Sequence, residues 1–424
     1  MPGELVIAPP GRAEPQPGVA LLRHDRPSAI AFALDIATEA ALRDGLAEVL
    51  PEGLDSRRGG IRAAIAALQK SPSPQVLVVD IAGEENPLGA LGDLAMCVEP
   101  DTCVLVVGEV HDLGLYRDLT RGLGVGEYLV KPVSRDLVAR HFAPLVRGQW
   151  PEAARQTGGR LITVTGARGG VGASVIATSL AWHFGVKARR HTMLLDADLY
   201  HGTAALLLDI DPGEGLRIAI ETPSRIDTLL AERAAQPVAD RLHVLSTLEP
   251  LSREIQYAPG AAEHLLEALF RRYNTVVGDV PSLPEPFCRD LHRLTQQRIV
   301  VLTPVLPAIR DTVRLLSAPA QNAPRVSTTV VLNRAGMPGG LKRAQVQDAL
   351  RVPLDLVIPD LPRQVAAAVT LGEPAAMRAG PFRNAIAELA RQAGALRLTD
   401  AAQAEPPARA SATRLLSALR FGKK

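Results

Sequence analysis

The segment RLITVTGARGGVGASVIATSLAWHFG, residues 160–185, constrains the chain more than any other. LITVT is an apolar β-type run, GARGGVGAS a glycine-rich loop, and VIATSLAWHF a helical run. A strand that feeds a glycine loop into a helix start aims backbone N–H groups and the positive helix end at one place, the arrangement that cradles phosphate. Gly169, Gly170 and Gly172 permit the dihedrals and the close approach such a cradle needs. The segment predicts an α/β fold with phosphate seated on Gly169, Gly170, Val171, Gly172, Ala173 and Ser174.

Ser174 is placed to ligate a Mg²⁺ bridging the β and γ phosphates of ATP. Ala173 stands where the standard loop carries a lysine, so no ammonium from that position offsets phosphate charge, and weak ATP binding or slow hydrolysis is expected. Two later apolar runs end in carboxylates. HTMLLDAD places Asp196 at a strand end with Asp198 two residues on, and YNTVVGDVP places Asp279 where a carboxylate can hold Mg²⁺ through water.

The region before the loop has its own rhythm. AIAFAL, QVLVVD, TCVLVVGE and GEYLV read as buried strands, with helical runs between them, over residues 28–146. Asp35 and Asp80 follow the first two strands, Gly108 follows VLVV, and Lys131 precedes Pro132. Residues 1–27 read as disordered apart from a short strand at Leu5–Ala8, 147–160 as a linker, 161–395 as the nucleotide-binding domain, and 396–424 as a Pro-rich linker with a basic amphipathic tail.

The formal charge of +2 on 424 residues gives no whole-protein field for nucleic acid. Five basic residues and no acid fall from Arg409 onward, leaving a body with 42 basic and 45 acidic groups. In that tail Ala412, Leu415, Leu416 and Leu419 share a helical stripe suited to a membrane interface or a protein groove. Three cysteines, Cys97, Cys103 and Cys288, lack metal or redox spacing, and Cys288 alone in the second half excludes an interfacial iron–sulfur carrier. No apolar run reaches about 18 residues, so a cytoplasmic protein with at most peripheral membrane contact is expected.

Residues 28–146 resemble a response-regulator receiver domain. Asp80 falls at its phosphate-acceptor position and Lys131 at its lysine position, while Asp35 stands alone where two acids are usual and Gly108 replaces the hydroxyl residue. The resemblance therefore implies an atypical receiver-like module that is not phosphorylated in ordinary use. Residues 161–395 resemble the ParA/MinD division of P-loop ATPases with a deviant Walker A loop, through GARGGVGAS and a DxDxxxGT element at Asp196, Asp198, Gly202 and Thr203. The order of the two domains resembles the CpaE/TadZ proteins of Flp (Tad) pilus assembly.

That resemblance implies an α/β fold in which a receiver-like domain precedes a MinD-like domain with a mostly parallel central sheet. It implies ATP and Mg²⁺ as ligands, with Ser174 and Asp279 at the metal and Asp196 beside it. Asp198 would lie near the attacking water, and Arg168, at the signature lysine position, would reach across a homodimer interface. Asn333 corresponds to the adenine-reading asparagine and Pro359 to a residue beside the base. The implied function is an ATP-responsive dimeric scaffold for a pilus secretion apparatus, with its motor ATPase among the partners, at the inner membrane or cell pole, and with weak or absent hydrolysis. The alternative is a DNA-partitioning or MinD-like positioning ATPase with a genuine hydrolytic cycle.

Overall fold

Four short apolar runs of the first half become strands of one sheet covered by helices on both faces. In the computed structural model, which describes residues 26–149, 159–226, 228–317 and 326–394, the chain opens with β1 (Ala29–Ala33), α1 (Ile36–Leu46), β2 (Asp55–Arg58) and α2 (Ile61–Leu68). It continues through β3 (Val76–Asp80), α3 (Pro87–Ala95), β4 (Cys103–Gly108), α4 (Leu113–Arg117), β5 (Glu127–Val130), α5 (Arg135–His141) and α6 (Ala143–Val146). These strands form a parallel sheet in the order β2-β1-β3-β4-β5.

Alternation along β3 sorts its side chains. Leu77 and Val79 pack with Ile61, Leu68 and Leu94 on one face, whereas Val76 and Val78 pack with Leu42, Val138 and Phe142 on the other. Full burial of each such side chain is worth about 1.5–3 kcal/mol, which is why near-continuous apolar runs settle here rather than at an edge. β2, DSRR, is polar and lies at the edge of the sheet, so periodicity does not reveal it. The first described residue, Arg26, is buried, donating to the carbonyls of Ser73 and Pro74 and pairing with Asp101 at 2.7 Å.

The second half starts with β6 (Arg160–Gly166), α7 (Ala173–Trp182), β7 (Thr192–Asp196), α8 (Gly215–Glu221), α9 (Thr228–Ala234), β8 (Gln236–Ala239) and β9 (Leu242–Leu245). It goes on with α10 (Ala261–Phe270), β10 (Thr275–Asp279), α11 (Pro286–Leu294), β11 (Gln297–Leu302), α12 (Leu306–Ser317) and β12 (Ser327–Ala335). α13 (Arg343–Leu350), β13 (Leu356–Pro359), α14 (Pro362–Thr370) and α15 (Pro381–Gly394) complete it. The sheet runs β13-β12-β11-β6-β10-β7-β9-β8, parallel except for β8, which returns antiparallel on β9. Ile162 and Val164 of β6 face Ile176 and Leu180 of α7, and Leu161 faces Leu265, Leu269 and Leu291.

Both sheets fall within one compact unit that ends at Ala393. Arg160, assigned to the linker by its surroundings in sequence, already belongs to β6. The expected strand at Leu5–Ala8 and the amphipathic tail lie outside the described residues. Among the described residues no helix is long and apolar enough to cross a membrane.

Candidate functional site

Neighbouring β6 and β10 and the adjoining β7 deliver the glycine loop, Asp279 and Asp196 to one edge of the sheet. Asp279 and Asp196 are register partners, so their side chains start from adjacent backbone positions. The loop turns on two left-handed residues, Gly170 at φ 80° and Gly172 at φ 90°, before α7 begins at Ala173. A Cβ on Gly172 would lie 2.6 Å from the Asn333 amide nitrogen, so glycine is required there by both conformation and space.

A cavity of about 580 Å³ opens beside this loop. Arg168, Gly169 to Ser174, Asp196, Asp198 and Asp279 all line it, so the residues expected at the phosphates and metal converge in space. Asp196 accepts from the backbone N–H of Asp198 at 3.2 Å and of Ala204 at 2.9 Å. Burial nevertheless pushes its carboxyl up to about 6. Asp279 is pushed up to about 7, first by burial and then by the neighbouring Asp196 charge, with the Ser174 hydroxyl bonding to it and pulling the other way.

Neither Asp196 nor Asp279 has an ion-pair partner among the described residues. Two buried carboxylates with a hydroxyl between the loop and the sheet form a donor set for a hard divalent cation. Mg²⁺ takes one or two carboxylates and fills its other positions with phosphate oxygens and water, and the carboxylate pair with the Ser174 hydroxyl supplies such ligands. The site fits MgATP on this ground.

Asp198 is held with its carboxylate accepting from His201 N–H at 2.9 Å and Tyr200 N–H at 3.3 Å, beside the same cavity. Gly202 makes this turn close, since a Cβ there would meet Asp196 Oδ2 at 2.6 Å. Arg168 is 44% exposed and its guanidinium stands 4.0 Å from Asp311 of α12. Asp311 also faces Arg310 at 2.8 Å and Arg314 at 3.8 Å.

Asn333 ends the buried part of β12 and donates its amide to Val171 O at 2.8 Å, while its Oδ1 accepts from Arg334 N–H. It lines a second cavity of about 420 Å³ together with Gly172, Pro359, Asp360 and Phe382. The two cavities share Gly172, Val175, Arg334 and Val369. Arg334, in left-handed backbone at φ 55°, and Asp311 carry charge at the site, and sequence reasoning did not single them out. Their only signal is position, one after Asn333 and the other inside an amphipathic helix.

The receiver-like pocket contrasts with the cavity beside the glycine loop. Lys131 Nζ donates to Asp35 at 2.7 Å and to Asp80 at 2.6 Å, and Asp80 also accepts from Leu34 and Ala82 N–H groups. Asp35 caps α1 through Thr38 N–H. An ammonium thus lies between the two carboxylates that a receiver would present to a metal.

Comparison with known proteins begins with an absence: no protein-family model matches the chain. An uncharacterized protein of Mycobacterium tuberculosis H37Rv is 33% identical over 213 residues, covering 48% of this chain and 56% of that protein. The chain thus spans little more than half the length of the first curated relatives it matches. The septum site-determining protein MinD of Synechocystis is 26% identical over 225 residues, 51% of this chain and 82% of that protein. Among solved structures, a ParA family ATPase from Chlorobium tepidum superimposes with a TM-score of 0.51 at 18% identity, covering 55% of this chain and 98% of that one. That likeness shows the α/β P-loop fold with its mostly parallel sheet. The pilus assembly protein CpaE of Caulobacter crescentus is 33% identical across 28% of this chain and 97% of the solved one, with a TM-score of 0.26.

Proposed function

We propose that this chain, whose second half has a P-loop fold like that of a ParA family ATPase and is 26% identical to a MinD, is a MinD-like positioning ATPase in which MgATP drives self-association. The observation that carries this is the uncompensated pair Asp196 and Asp279 beside Ser174 and the left-handed glycine loop. Ser174 and Asp279 would hold Mg²⁺, which when bound offsets the charge of the terminal phosphates. Asp196 supports that site, Gly169 to Ser174 hold phosphate through backbone N–H groups, and the second cavity beside Asn333 and Pro359 takes the base. Asp198, fixed by two backbone N–H groups, orients a water near the terminal phosphate.

Turnover is slow in this reading, because Ala173 supplies no ammonium and the cations lining the phosphate cavity are Arg168 and Arg334. Arg168 acts on the phosphates of a second copy. Calorimetry with MgATP tests the reading together with sedimentation and phosphate release. Binding, ATP-dependent dimerisation and slow phosphate release are expected. Absence of binding at millimolar MgATP would remove it.

The narrower role, in assembly of a Flp/Tad pilus, is supported by one observation, the receiver-like half placed ahead of the nucleotide-binding half. In a bacterium with such pili, loss of the gene would then abolish pilus assembly without disturbing the division site. A division-site defect with normal pili would favour the MinD-like role alone.

A further inference from the structure

Three neighbouring strands of the nucleotide-binding sheet start side by side, and the residues leading two of them bond to the receiver-like half. Asn274 precedes β10, His191 precedes β7 and Arg241 precedes β9, and these strands are adjacent in the sheet. Asn274, 4% exposed, donates its amide to Ala95 O and Val98 O, both at 2.8 Å. Arg241, 5% exposed, donates to Leu68 O at 2.7 Å, Cys97 O at 3.1 Å and Ser71 O at 3.3 Å, and to Arg189 O of its own half at 2.7 Å. Arg189 adds a bond from Nε to Gln69 O at 3.1 Å.

The acceptors named in the receiver-like half are all main-chain carbonyls at or just beyond the C-terminus of α2 or α3. Terminal helix carbonyls have no partner within the helix and carry the negative end of its dipole. Burying them against another sheet is costly unless donors meet them, and a guanidinium fork can serve carbonyls from two helices at once. His191 adds no charge to the joint: burial, then Arg241 and Arg272, hold its imidazole down to about 3.

Direction follows from topology. In a parallel sheet the covering helices run opposite to the strands, so the C-termini of α2 and α3 lie at the edge where strands begin. Asp80 and Lys131 lie at the edge where strands end. The same holds in the second half, where Asn274 and His191 lead strands that end at Asp279 and Asp196, and Arg241 leads β9, parallel to them.

We infer that the two halves are joined start edge to start edge as one fixed body, with Arg241 and Asn274 as the residues that hold the joint. The receiver-like pocket therefore faces away from the nucleotide site. The first half is a rigid extension that presents its Asp80 edge outward, and it does not close over bound nucleotide. This goes beyond the ATPase reading and stands without it, because no contact in the joint involves the nucleotide cavity.

Hydrogen exchange on the full-length, nucleotide-free protein tests the inference. In the wild type, peptides spanning residues 66–73 and 93–99 should open with the same denaturant dependence as β7 and β9. Arg241→Met should speed exchange of those two segments at least tenfold while β10 keeps its protection, and Asn274→Ala should do so mainly at 93–99. Should Arg241→Met fail to fold, Arg241→Lys, which keeps the charge and loses the fork, should give a smaller increase at the same segments. Fast exchange of both segments in the wild type, unchanged by any of these substitutions, would overturn the inference.

Discussion

A Cβ built on Gly108 would lie 2.8 Å from the Tyr128 hydroxyl. Tyr128 fills the place that a receiver's hydroxyl residue would need, and its Oη accepts from Val110 N–H at 3.2 Å and donates to Val110 O at 3.0 Å. Restoring a hydroxyl with Gly108→Ser should expel the ring and cost about 1–3 kcal/mol in urea unfolding. It should also leave Asp80 unphosphorylated by a small phosphodonor with Mg²⁺, because Lys131 still lies between Asp35 and Asp80. Stoichiometric acyl phosphate in the intact mass of either protein would contradict this account.

The same triad sets an acid dependence. Lys131 and Thr38 N–H hold Asp35 down to about 2 from its ordinary 3.8. A carboxylate whose folded value is depressed contributes stability that is complete above its unfolded value and is lost as pH falls through the folded one. Asp35 therefore stabilises the fold above about pH 4 and ceases to do so toward pH 2. Lys131→Met strands Asp80, 1% exposed, without its counter-ion, and should cost about 3 kcal/mol at neutral pH. The gap between the two proteins should narrow from pH 4 toward pH 2 in urea midpoints. A constant gap would mean that packing, not charge, carries the effect.

The glycine loop, the strand-ending carboxylates and the alternation of strands and helices are local in sequence, and the fold and most of the residues that converge on the cavity beside the loop were legible from them. The edge strand β2 and the β8–β9 hairpin were not, since their polar and short segments carry no periodicity. Arg241 reads as an ordinary surface arginine in ADRLHV, and Asn274 as a turn residue before a strand. Their burial comes from helix ends some 140 to 180 positions away, a relation that no local pattern encodes. Asn333 was read at the base, and its contact with Val171 O depends on the loop and β12 meeting in space.

Asp279 is a site of stored electrostatic cost. Asp279→Asn removes one of two facing buried carboxylates whose values are pushed up to about 6 and 7. Without nucleotide, the variant should melt roughly 1–3 °C higher than the wild type at pH 8. It should also lose the stabilisation that MgATP gives the wild type. Differential scanning calorimetry with and without MgATP measures both, and a lower melting temperature for the nucleotide-free variant would refute the assignment of strain to this pair.

Asn333→Ala should weaken binding of both ATP and inorganic triphosphate. Its amide is bonded to Val171 O within the phosphate loop, so its loss alters the loop that every phosphate ligand uses. Losing one buried hydrogen bond corresponds to about 1 kcal/mol, a roughly fivefold drop in affinity. Calorimetric titration separates this from recognition of the base: a loss confined to ATP, with triphosphate binding intact, would assign Asn333 to adenine alone.

Arg168 is paired within its own subunit, and that pairing competes with any contact to a second copy. Its guanidinium stands 4.0 Å from an Asp311 carboxylate that Arg310 and Arg314 also approach, so the hold is weak and partly shared. Arg168 is 44% exposed, and exposed pairs contribute only about 0–1 kcal/mol. Asp311→Asn should therefore free the guanidinium at little cost and tighten MgATP-dependent dimerisation by up to about fivefold. If Arg168 acts mainly on a second copy, as proposed, Arg168→Ala should weaken dimerisation more than ATP binding to the monomer, which should stay within about twofold. The double variant should dimerise like Arg168→Ala, since Asp311 acts only through the arginine. Sedimentation equilibrium across a protein series at saturating MgATP reads all four proteins on one scale. If Asp311→Asn still tightens association when Arg168 is alanine, the carboxylate repels the second copy directly, and the proposed competition for Arg168 is wrong.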